Sequence, residues 1–283
     1  MKNKDIFTFR DAEKQAGPVA FSTMLKPAGS ACNLDCHYCY YLDKAVQYGG
    51  RQAVMSDELL ELYVKQYIEA NEVPTVQFCW HGGEPLLLGV DFYRKAMDFQ
   101  QKYADGKKIE NILQTNGTLV DEAWCDLFAG NNFLVGISLD GPQDIHDAFR
   151  LTKGGRPTFE RVMRTIEMFQ RSGVEYNTLS VVNRLCEGRG GEIYRFFRDT
   201  VHSRYMQFLP AVEHVVDKPG FHRPLIVSPD REGARLAEWS VTAKGYGGFL
   251  CDVFDVWVVS DVGRTFVQMF DATLAQWLSL IHI

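Results

Sequence analysis

A strand-like apolar run followed by a helix-like repeat recurs about six times before residue 210, and no other feature constrains the fold as tightly. Residues 19–26 alternate Val19, Phe21, Thr23 and Leu25 with smaller side chains, as a strand does. Residues 75–80, 109–113, 133–139, 174–182 and 204–209 are apolar runs of strand length. Between them lie amphipathic repeats. Leu59, Leu60, Tyr63, Val64, Tyr67 and Ile68 follow a Ser56 N-cap, and residues 91–103 form a second helix. Residues 121–128 form a third, closed by Gly130 where a left-handed C-cap is expected. Phe159, Val162, Met163, Ile166 and Phe169 make a fourth face behind Thr158, ending near Gly173, and a short helix starts at Glu192. One strand per unit predicts a parallel sheet, and near-continuous apolar strands predict that both faces are covered. The fold class is therefore α/β, built as a barrel or part of one.

In parallel α/β barrels the site lies where strands hand over to loops at their C-terminal ends. Each unusual polar or glycine-rich cluster occupies such a position: residues 32–41, 81–85, 114–117, 138–142 and 207–210. They are expected around one pocket. Beyond Pro210 the pattern loosens. Pro219, Pro224 and Pro229 mark an irregular crossing, residues 231–244 read as helical, and residues 263–277 read as one short strand and a helix.

The first of these clusters carries Cys32, Cys36 and Cys39 in a CxxxCxxC spacing. Three such thiolates can hold three corners of an iron–sulfur cube and leave one iron without a protein ligand. A zinc site is the alternative, with His37 as fourth ligand. Seven cysteines, an odd number with three clustered, fit a reducing cytoplasm and metal chemistry better than a disulfide framework. A net charge of −6 argues against nucleic acid or an anionic membrane as the main partner. The longest apolar runs fall far short of the ~20 residues a membrane helix needs, and the N-terminus has no signal-peptide core.

These motifs together resemble the radical S-adenosylmethionine (SAM) superfamily, whose fold is a partial (β/α)6 barrel. Within it, Lys26-Pro27, Trp80 through Pro85, Leu113 through Thr118, Phe133 through Pro142 and the stretch from Ile145-His146 to Arg150 are similar to anaerobic sulfatase-maturating enzymes. The resemblance implies a [4Fe-4S] cluster on Cys32, Cys36 and Cys39, with SAM chelated by the free iron. Reductive cleavage of SAM would give a 5′-deoxyadenosyl radical. That radical takes a hydrogen from Cβ of a Cys or Ser in a sulfatase polypeptide, which becomes Cα-formylglycine. An electron donor such as flavodoxin or ferredoxin is implied as a second partner.

The same resemblance assigns SAM contacts to Tyr38, Gly82, Gly83, Glu84, Ser138, Arg150 and Val212. Tyr38 would flank the adenine or shield the cluster. Gly82, Gly83 and Glu84 would let backbone groups approach the methionyl amine, because glycine has no Cβ to obstruct them. Ser138 would serve the ribose or carboxylate, Arg150 the carboxylate, and Val212 would supply an apolar contact beside the adenine. For Arg150 a surface salt bridge is the alternative. Tyr41 and His81 match positions that touch the substrate peptide, although His81 could equally be a wall of the pocket. Gln114 and Asn116 are expected to organise their loop. Cys79, Cys125, Cys186 and Cys251 lack ligand spacing and read as structural thiols. Another radical SAM peptide-modifying enzyme remains an alternative.

The chain departs from the family after Cys251, where no cysteine follows. The family continues into a SPASM-type region with two auxiliary clusters and uses an Asp after a Cys there as general base. Asp252 lies in an apparent helix before that region, so no catalytic base is expected within residues 1–283. The organisation expected is an extension over 1–18, the barrel over 19–212, and the rest of the barrel with a linker toward the auxiliary region over 213–277. Residues 278–283 read as an adapter-encoded tail on a truncated frame, and a chain so truncated is expected to fall short of full turnover.

Overall fold

The computed structural model describes residues 20–41, 44, 54–217 and 224–278. The extension at 1–18, the start of the first expected strand and positions 279–283 of the expected tail lie outside the described residues.

Seven strands form one sheet in the order β1-β2-β3-β4-β5-β6-β10, and every pairing is parallel. β1 is Met24–Leu25, β2 Thr75–Trp80, β3 Lys108–Thr115, β4 Leu134–Ser138, β5 Glu175–Val182, β6 Tyr205–Pro210 and β10 Phe266–Val267. Among the described residues β1 and β10 stand at opposite ends of the sheet and do not pair with each other. The barrel is therefore open along one side. The helices that return the chain are α1 (Asp57–Ala70), α2 (Val90–Tyr103), α3 (Glu122–Gly130), α4 (Gln143–Phe149), α5 (Phe159–Ser172) and α6 (Gly190–Arg195). The last is prolonged by a π-helical turn. α7 (Ala243–Ser260) and α8 (Gln268–Trp277) flank β10.

The caps follow from residue chemistry. Ser56 accepts the Leu59 N–H at the start of α1, and Asp121 accepts the Trp124 N–H at the start of α3. Gly173 closes α5 in the left-handed conformation. Gly130 does not play that part. It is the last helical residue of α3, and the left-handed position falls on Asn132 instead.

One face of each strand packs under the helices. Phe78, Trp80, Val135, Ile137 and Val182 meet Leu60, Val64, Tyr93, Phe128, Ile166 and Phe169 in a single core. Trp80 is fully buried and donates its indole N–H to Asn111 Oδ1 at 2.7 Å, while Asn111 and Gln100 exchange amide hydrogen bonds. The polar atoms that this core takes in are thus paired where they are buried.

After β6 the chain makes a second, antiparallel sheet, β8-β7-β9, from His214–Val216 (β7), Leu225–Val227 (β8) and Arg235–Leu236 (β9). Residues 231–244 are therefore not one helix. Arg235 and Leu236 pair with Val215 and His214, and helix begins only at Ala243. Val215, Ala237 and Trp239 from this segment pack with Leu34, Cys36 and Tyr38, so the small sheet walls the cysteine loop.

Candidate functional site

The cysteine loop leaves β1 through two tight turns, with Gly29 and Ala31 N–H groups donating to Lys26 and Ala28 carbonyls. It is then held as if it were a strand. Leu34 bridges antiparallel to Thr152, Asp35 N–H donates to Leu151 O, and His37 N–H donates to Phe149 O. The segment following α4 thus fixes where the three cysteines stand. Cys36 is buried and Cys32 and Cys39 are half-buried. Burial pushes the Cys36 thiol up to about 12, with Arg150 opposing. It pushes Cys32 up to about 11, although Leu34 N–H donates to its sulfur at 3.4 Å and the Asn116 amide at 3.8 Å. Thiolates here need a cationic partner to offset desolvation, which iron supplies.

His37 packs its ring edge-on against Phe149, with centroids 6.1 Å apart. Among the described residues no three His, Cys, Asp or Glu side chains converge on a point that one metal ion could occupy.

The loop after β2 lies directly beneath. His81, Gly83 and Glu84 N–H groups donate to Leu25, Gly29 and Ala31 carbonyls at 2.8, 3.0 and 2.8 Å. A Cβ on Gly83 would sit 2.1 Å from Ala31 O, inside any tolerable contact, and Gly82 has φ of 136°. Both glycines are thus required for the two loops to dock. The Glu84 side chain turns away from the loop surface into the protein. Its carboxylate is fully buried and accepts from Leu86 N–H (3.0 Å), the Thr115 hydroxyl (2.8 Å) and Asn116 N–H (2.8 Å). Burial pushes its pKa up to about 7 against those three donors. Glu84 sets the position of the β3 loop, where Asn116 and Thr118 in turn hold Asn33 beside Cys32.

Tyr38 and Arg150 meet at a residue that sequence reading left without a role. Asp140, with no exposed surface, accepts the Tyr38 hydroxyl, the Arg150 guanidinium at 3.0 Å and the Val181 N–H at 3.0 Å. The guanidinium lies 5.5 Å from the Tyr38 ring centroid. Burial works against the charge on Arg150, but Asp140 outweighs it and holds the guanidinium protonated. The surface salt bridge considered for Arg150 is thus a buried one. Arg150 Nε is buried with no hydrogen-bond partner. Behind it, Asp140 N–H donates to His146 Nδ1 at 3.4 Å. His146 Nε2 lies 3.0 Å from Thr158 Oγ1, which donates to Arg150 O. That arrangement is a neutral imidazole, and burial pushes the His146 pKa down to about 4.

Ser138 ends β4 and accepts the Gln114 amide at 3.0 Å. His81 accepts Gly82 N–H on Nδ1, and burial with nearby Lys26 lowers its pKa. Lys26 Nζ lies 3.9 Å over the Tyr41 ring. Val212, just past β6, is exposed. Asp252 packs on α7 against Gly190 and Gly191 of α6. Cys125 and Cys186 are buried, Cys79 is half-buried and Cys251 is exposed.

Residues 27–186 match the family model for the Radical SAM superfamily, more than half of the chain. The chain belongs to the radical SAM superfamily. It is 46% identical over 256 residues to a serine-type anaerobic sulfatase-maturating enzyme of Bacteroides thetaiotaomicron, covering 90% of this chain and 61% of that protein. It is 36% identical over 264 residues to a cysteine-type enzyme of Clostridium novyi, covering 90% and 65%. The solved structure "Native anSMEcpe with bound AdoMet and Cp18Cys peptide" superposes with a TM-score of 0.77 at 33% identity, over 91% of this chain and 66% of that one. The chain therefore spans somewhat less than two thirds of the curated relatives' length.

Radical SAM proteins use a [4Fe-4S] cluster and SAM, and this site fits both. The donor set is three thiols on one loop. The orphaned Arg150 Nε–H, on a guanidinium kept charged, suits a carboxylate. The approach that only glycine permits at Gly83 aligns the backbone beneath the loop.

Proposed function

We propose that this chain is the radical SAM part of an anaerobic sulfatase-maturating enzyme, an iron–sulfur oxidoreductase that converts a Cys or Ser of a sulfatase polypeptide to Cα-formylglycine. The observation that carries the reading is the 46% identity over 90% of the chain to a serine-type enzyme of that kind. Relatives of both types match, so the reading covers both target residues.

Cys32, Cys36 and Cys39 would hold the cluster, which would leave a site for SAM. Arg150, fixed by Asp140 and Tyr38, receives the carboxylate of SAM. Gly82 and Gly83 bring the backbone toward its amine, while Ser138 and Val212 border its nucleoside. Leu34, Val215, Ala237 and Trp239 pack around Cys36 and keep water from the loop. Tyr41 and His81 stand where a peptide would lie. When bound, the cluster and SAM supply one-electron chemistry that removes a hydrogen atom from Cβ of the target residue. Flavodoxin or ferredoxin would provide the electron, in the cytoplasm; no helix among the described residues is long and apolar enough to cross a membrane. Residues 19–212 would form the catalytic barrel and 213–277 its continuation.

Anaerobic reconstitution tests the reading. Binding of about four irons and four sulfides per chain is expected, with SAM cleavage that Cys36→Ala abolishes. One zinc and no sulfide would overturn it. SAM cleavage with a thioether or epimerised peptide would move the chain to another peptide-modifying class.

A further inference from the structure

Four residues stand level across the sheet. Trp80 pairs with Leu113, Gln114 with Gly136 and Gly136 with Asn177, so His81, Gln114, Gly136 and Asn177 form one transverse row. Side chains alternate between the faces of a strand. Leu113, Val135 and Ile137 belong to the core beneath the helices, which places the row on the inner face of the open barrel.

The middle of this row has no side chain, and its neighbours lean over the gap. A Cβ on Gly136 would lie 2.0 Å from Gln114 Oε1 and 3.1 Å from Asn177 Oδ1. The Gln114 nitrogen donates to Ser138 Oγ, which fixes its oxygen over the glycine. Asn177 Oδ1 is buried and meets no donor. A buried, unpaired acceptor is costly to keep, and here two acceptors converge from opposite sides. Asn177 also borders a cavity of about 470 Å³ shared with Leu134, Gln207 and Phe266.

We infer that Gln114 and Asn177, set apart by Gly136, form a subsite that accepts a main-chain N–H of the polypeptide substrate. The ligand group is a donor because both converging atoms are oxygens. The row itself carries no carboxylate, while Glu175 and Asp271 line the cavity beyond Asn177. The group belongs to the peptide because the subsite shares its row with His81, whereas Tyr38 and Arg150 serve the cofactor on the cysteine-loop side. The inference rests on the peptide-modifying function proposed above.

The test is fluorescence anisotropy of a labelled sulfatase-derived peptide, with the reconstituted protein loaded with SAM. Asn177→Ala is expected to weaken peptide binding about tenfold, the worth of one well-formed hydrogen bond, with SAM affinity and melting temperature unchanged. Gly136→Ala, which fills the gap with a methyl group, weakens it at least as much. In a series of peptides N-methylated at one backbone nitrogen each, one position reproduces the loss on the wild type and adds nothing on Asn177→Ala. Peptide affinity indifferent to Asn177→Ala, or a loss confined to SAM, would overturn the inference alone. A wild-type protein that loads cluster and SAM yet binds no sulfatase peptide would remove the functional reading along with it.

Discussion

Asp140 shows what a single residue can hold together. It binds Tyr38 from the cysteine loop, Arg150 from beyond α4 and the backbone of β5. Removing one partner of a buried ion pair strands the other, at a cost of about 3–5 kcal/mol. Asp140→Asn should therefore destabilise the protein by roughly that amount in urea titration. Asp140→Asn with Arg150→Met should be less harmful than the two single losses added together. His146 offers a second check. Its folded pKa of about 4 lies below the ordinary 6.5, so the unfolded chain binds a proton that the native state refuses. The stability it contributes is present above about pH 6.5 and is lost as pH falls toward 4, by about 3 kcal/mol in all. His146→Asn should flatten the wild-type stability profile in that window, measured as the difference between the two curves. Neither residue advertised its role in sequence. Asp140 follows an apolar strand as many turn residues do, and its partners Tyr38 and Arg150 lie in loops that no local pattern joins to it.

At the scale of elements, the docking of the β2 loop beneath the cysteine loop governs assembly of the site. Gly83→Ala places a methyl group on the Ala31 carbonyl, a backbone group that cannot step aside. It should reduce iron and sulfide incorporation several-fold, read from the charge-transfer absorption of the reconstituted protein, while circular dichroism still reports the α/β fold. The glycine pair was legible as a close approach, but the partner it approaches was not, since Ala31 meets it only after folding. The strands were legible because each carries a mostly apolar or alternating run and is followed by a helix of 3.6-residue period. Residues 231–244 misled for the opposite reason. Arg235 and Leu236 have no strand signature of their own and are recruited by pairing with β7, a tertiary effect that local preference does not contain.

At the scale of the molecule, the handover of every strand to its loop at one end made the location of the site readable before its geometry was. β10 was legible as a short strand within residues 263–277, but its pairing beyond β6 was not, because a two-residue strand is too short to carry a period. The separation of β1 from β10 bears on access. A head-to-tail cyclised version of the sulfatase peptide should bind within about threefold of the linear one, measured by competition anisotropy; a much weaker ring would indicate that a free end must enter first. Among the described residues the first and last strands of the sheet do not pair, so it is a strip rather than a ring. A polymer can be laid across a strip broadside and lifted off again without being threaded, so a residue deep inside a long polypeptide is as reachable as one at its tip.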